Sequence, residues 1–113
     1  MVLPIDSKKF SDFISDSNLF QMTQENLKAL LKNWWDADKI NFSKDMNADL
    51  ETVLKKYKFE AEGVSLSKSY SYEPPMDYIS VWIRIFDEEN SYICEYTAFY
   101  DYNLNCFDDK IKG

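Results

Sequence analysis

The side chains able to do chemistry in this chain are carboxylates, two thiols and many aromatic rings; there is no histidine. Without imidazole the Ser-His and Cys-His dyads are excluded, and most zinc sites lose their usual nitrogen ligand. Cys94 and Cys106 are candidate nucleophiles, and thiol catalysis requires a thiolate beside a basic group. Cys94 falls inside an apolar strand pattern, where burial disfavours that thiolate. Carboxylates are paired at Asp36 and Asp38, in the run Asp87-Glu88-Glu89, and at Asp108 and Asp109. Acid–base catalysis needs two carboxylates in different environments of one cleft. These pairs fall in predicted loops, where charge is ordinarily solvated. Asp101, Asn103 and Asn105 match the first three ligand positions of an EF-hand loop, but the required glycine is Cys106 and the closing glutamate is Lys112. A turn rich in Asx side chains accounts for the same residues. Two glycines are too few for a glycine-rich phosphate cradle. The expectation is a binding protein without metal or cofactor, not an enzyme.

The stretch Tyr78 to Tyr100 must organise such a surface. Two β-rich runs flank Asp87-Glu88-Glu89-Asn90, a hairpin signal. With those four residues as the loop, Phe86 faces Ser91, Arg84 faces Ile93, Trp82 faces Glu95, Ser80 faces Thr97 and Tyr78 faces Phe99. Ile79, Val81, Ile83 and Ile85 then share the other face with Tyr92, Cys94, Tyr96 and Ala98, and form the core side. The mixed face places Trp82, Phe86, Tyr78 and Phe99 beside Arg84 and Glu95. A first helix or the apolar lead can cover these rings. Left bare, they are of the types enriched at binding hot spots.

Upstream, Asp6 or Ser7 can cap a first helix carrying Phe10, Phe13 and Ile14. Thr23 reads as the N-cap of a second, with Leu27, Leu30, Leu31 and Trp34 in its stripe and Met22 and Leu27 as a staple. Lys39 to Phe42 has room for a short strand. Ser43 reads as the cap of a third helix, with Met46, Leu50, Val53, Leu54 and Tyr57 on one face. Val64 to Tyr72 alternates as a strand with serines on its wet side, Glu73 to Asp77 is a turn, and Cys106 to Ile111 is a short closing strand. The expected fold is one α+β domain over residues 1–113: three N-terminal helices packed on one face of a three- or four-stranded antiparallel meander.

The net charge is −7, and it is uneven. Residues 1–62 hold nine lysines and eleven acids, whereas residues 63–113 hold four bases and nine acids. An acidic β half steers toward basic partners and repels nucleic-acid phosphates and anionic membranes. The amino end lacks a signal-peptide pattern, and two cysteines make no disulfide framework. Reduced thiols and a cytoplasmic location are expected.

Size, acidity, helices followed by an acidic aromatic sheet, and the run Phe99-Tyr-Asp-Tyr-Asn-Leu-Asn-Cys-Phe-Asp-Asp together resemble immunity proteins of bacterial polymorphic toxin systems, including contact-dependent growth inhibition. That resemblance implies a cytoplasmic inhibitor of one cognate toxin, often a nuclease, whose active site it blocks. The residues expected to meet such a basic partner are Asp87, Glu88, Glu89, Asp101, Asp108 and Asp109 for charge, with Trp82 and Phe86 as anchors. The order of elements also resembles NTF2-like folds, with a cystatin-like domain as a related alternative. Those imply a small-ligand pocket between helices and sheet, to which Tyr70, Tyr72, Tyr96 and Tyr100 could lend polar tips.

Overall fold

The computed structural model describes residues 4–113. Four helical segments, α1 (Ser7–Asp16), α2 (Leu19–Ala37), α3 (Lys39–Met46) and α4 (Leu50–Lys56), precede four strands, β1 (Lys58–Ser69), β2 (Met76–Phe86), β3 (Tyr92–Tyr100) and β4 (Cys106–Lys112). The strands form one open antiparallel sheet in the order β1-β2-β3-β4. This is the expected α+β meander with helices ahead of the sheet. Among the described residues no helix is long and apolar enough to cross a membrane. Of the apolar lead, residues 1–3 lie outside the described part.

The helices depart from the expected boundaries where polar side chains make better bonds than caps. Asp6 caps α1, accepting from Lys9 N at 3.0 Å. Thr23 is not a cap. It lies inside α2, fully buried, with its hydroxyl donating to Leu19 O at 2.8 Å. The helix starts five residues earlier, after Asn18 turns the chain in the left-handed region (φ 52°). The strand expected at Lys39 to Phe42 is instead the start of α3. Asp38 caps it, accepting from Asn41 N at 3.1 Å and from Asn41 Nδ2 at 2.6 Å. The single third helix expected from Ser43 is broken. Asn47 takes a left-handed conformation (φ 57°), and Asp49 recaps the chain by accepting from Thr52 N at 2.9 Å. Asparagine tolerates that conformation and aspartate favours N-caps, so the three residues Asn47 to Asp49 stop one helix and start the next. Met46, Val53 and Tyr57 stay buried across the break, as the periodicity required.

One face of the sheet supplies the core. Ile79, Val81, Ile83 and Ile85 of β2 meet Cys94, Tyr96, Ala98 and Tyr100 of β3, with Leu27 and Leu31 of α2 in the same cluster. The aromatic rings of Trp34 and Trp35 both stand edge-on to buried Phe42, at 4.9 Å and 5.3 Å, and fasten α3 to α2. The hairpin register is displaced by two residues from the expected one: Ile83 faces Tyr96, Val81 faces Ala98 and Trp82 faces Thr97. A shift of two keeps each side chain on its face, so the division into core and mixed faces survives. A bulge beside Phe86 moves Tyr92 off the core side to pair with Phe86. β1 starts at Lys58 and stops at Ser69, so Tyr70 and Tyr72 belong to the following turn and are exposed.

Candidate functional site

Strand alternation gives the sheet two faces, and the helices take one. The other carries Tyr78, Trp82, Arg84 and Phe86 from β2, Glu95, Thr97 and Phe99 from β3, and the serines of β1. Among the described residues neither α1 nor the lead's Pro4 and Ile5 covers it, contrary to the covered alternative; residues 1–3 of the lead lie outside the described part. Pro4, Ile5, Phe10 and Phe13 instead line a cleft with Leu66 and Ile79 on the core side.

The rings on the bare face shelter one another. Tyr78 and Phe99 lie 6.1 Å apart, and Phe107 stands 6.3 Å from Tyr78 and 6.4 Å from Phe99. Phe86 meets Tyr92 at 6.1 Å. Trp82 lies across Gly63, where a Cβ would come within 2.2 Å of its Cζ2. A bulge between Ala61 and Gly63 sets this crossing, and the glycine makes room for the indole. Arg84 sits between Glu62 and Glu95, 3.6 Å from each carboxylate. Both pairs are open to solvent and hold orientation more than they add stability.

The carboxylates divide by what they already hold. Asp87 Oδ1 accepts from Glu89 N and Ser91 N, both at 2.9 Å, and Asn90 takes a left-handed turn (φ 65°). Glu88 and Glu89 project from that turn, exposed, and neither has an ion-pair partner among the described residues. The second hairpin repeats the device. Asp101 Oδ1 accepts from Asn103 N at 2.9 Å and Asn105 N at 3.0 Å, and Leu104 takes the left-handed position (φ 64°). The amide of Asn105 above all holds the Asp101 carboxyl below its ordinary range. Asp108 accepts from Asp109 N at 2.9 Å, and Asp109 accepts from Tyr96 hydroxyl at 2.7 Å. Burial first, then that bond, pushes the Tyr96 phenol up.

The predicted contact residues therefore fall into two groups. Phe86, Asp87, Glu88 and Glu89 share the first hairpin's end of the sheet, and Trp82 lies between the groups, in mid-sheet opposite Thr97. Asp101, Asp108 and Asp109 lie at the other end of the nine-residue β3, roughly 25 Å away at ~3.3 Å per residue. Tyr92 and Phe107 also lie on the bare face. Sequence reasoning missed both, because each reaches it through a bulge that no glycine marks.

No pocket formed by the four tyrosines lies between helices and sheet. Tyr96 and Tyr100 are fully buried, while Tyr70 and Tyr72 are 78% and 54% exposed. Tyr100 closes a polar chain: Asn26 Nδ2 donates to its hydroxyl at 3.0 Å, which bonds Thr23 Oγ1 at 2.8 Å. A groove of about 680 Å³ runs instead between α2 and β4, lined by Asn26, Leu30, Asn33, Trp34, Cys106 and Asp109. The thiols are not activated. Burial pushes Cys94 up to about 12, and burial also raises Cys106. Among the described residues no three metal-ligating side chains come together. Comparison of the chain with protein-family models, with curated proteins and with solved structures finds no match.

Proposed function

We propose that this chain is a protein inhibitor of the immunity type, which binds and neutralises a basic toxin, a nuclease by preference, by covering its active site. It acts in the cytoplasm, through binding alone and without a cofactor. The observation that carries this reading is the bare aromatic face, with the exposed carboxylates of Glu88 and Glu89 at its end. A nuclease presents Lys and Arg to phosphate. Glu88 and Glu89 meet the same field, while Trp82, Phe86 and Tyr92 supply apolar area that water leaves on docking. Asp87 shapes the loop, since its carboxylate is already committed to two backbone amides.

The experiment first seeks a toxin domain encoded beside the gene and then pairs the protein with it. Stoichiometric addition is expected to abolish that domain's nuclease activity, and Trp82→Ala to weaken inhibition at least tenfold. Full nuclease activity at saturating wild-type protein would reject the reading.

A further inference from the structure

The sheet ends at β4, which no other strand of the described chain pairs on its outer side. The other edge, β1, is interrupted by the bulge at Ala61 to Gly63, whereas β4 pairs with β3 without a break from Asp108 to Lys112. Asp109 N–H bonds the carboxylate of Asp108. Strand alternation then turns the backbone groups of Asp109 and Ile111 outward, and those of Lys110 toward β3.

Charged residues on an edge ordinarily block pairing with other strands. Here the signs are segregated along the strand: Asp108 and Asp109 come first, Lys110 and Lys112 last. An antiparallel copy of the same strand would set each acidic half against a basic half. We propose that two copies of this chain join through their β4 edges, antiparallel about a two-fold axis normal to the sheet. Asp109 lies opposite Ile111 of the second copy, and Asp108 opposite Lys112 of the second copy. Asp109 and Ile111 exchange backbone hydrogen bonds across the seam, and Asp108 releases the Asp109 amide to face the lysine. Lys110 falls on the axis beside its counterpart. Its Nζ is drawn over the ring of its own Phe99, 5.7 Å from the centroid. α2 packs over β2 and β3, and a groove separates it from β4 on the same side. This seam lies at the sheet edge and stands whether or not the bare face binds a toxin.

Sedimentation equilibrium of the whole chain, up to about 1 mM, tests it. The average mass is expected to rise from 13.4 kDa toward twice that value. Asp108→Lys and Lys112→Asp alone should each raise the dissociation constant about tenfold or more. The two together in one chain should bring it back near wild type. Ile111→Pro, which removes an outward amide tolerably at an edge, should leave a monomer. A mass of 13.4 kDa across the whole range would overturn the proposal. So would single reversals that associate like wild type, or a double reversal that stays monomeric.

Discussion

Tyr100 shows how one side chain decides a helix start. Its phenol sits fully buried between α2 and the sheet, and needs partners there. Thr23 and Asn26 supply them from successive turns of α2, and the Thr23 hydroxyl donates its own hydrogen bond to Leu19 O. A threonine that reads as a cap is thereby drawn into the helix interior. Tyr100→Phe leaves Asn26 and Thr23 short of a partner and should destabilise the fold by about 1–3 kcal/mol. Adding Thr23→Val should return part of that loss, because removing both partners costs less than orphaning one. Urea unfolding of the four proteins of the cycle measures it. A Tyr100→Phe protein as stable as wild type would show that the chain of hydroxyls carries no weight.

At the level of elements, bulges and turns set which side chains share a face. Two hairpins use the same construction, an aspartate whose carboxylate takes two backbone amides, followed by a residue in the left-handed region. The aspartates and asparagines were legible as turn formers. Leu104 in the left-handed position was not, since an aliphatic side chain gives no such signal. Gly63 is the clearest case where an element depends on a missing Cβ. Its φ is not positive, so alanine can adopt the backbone; the obstacle is the indole of Trp82. Gly63→Ala should therefore cost about 1–3 kcal/mol by overpacking. In a Trp82→Ala background the same change should be neutral or stabilise by up to about 1 kcal/mol, as alanine outperforms glycine in a strand. Thermal or urea melts of the four variants check the sign reversal.

For the whole molecule, the layout separates charge from core. Helices and sheet close over one apolar cluster, and the opposite sheet face stays open with acids at both ends. Glu88→Lys with Glu89→Lys changes the charge by +4, from −7 to −3. Against a basic toxin this should slow association about tenfold and flatten its salt dependence, with dissociation little changed. Trp82→Ala should instead speed dissociation. Stopped-flow binding at two ionic strengths separates the two. Association that ignores the glutamate reversals would remove the loop from the interface. Asp87 is left intact in this design, because its loss would open the turn itself.

Composition and periodicity alone determined the α+β class, the meander, the core face of the hairpin and the acidic character of the β half. These follow from side-chain spacing and charge, which are local properties of the chain. Tertiary structure decided the rest: the two-residue register shift, the arrival of Tyr92 and Phe107 on the open face, and the scattering of the predicted acids over both ends. Each depends on bonds between residues far apart in sequence, or on bulges where one added residue redirects a strand, and neither leaves a repeating pattern to read.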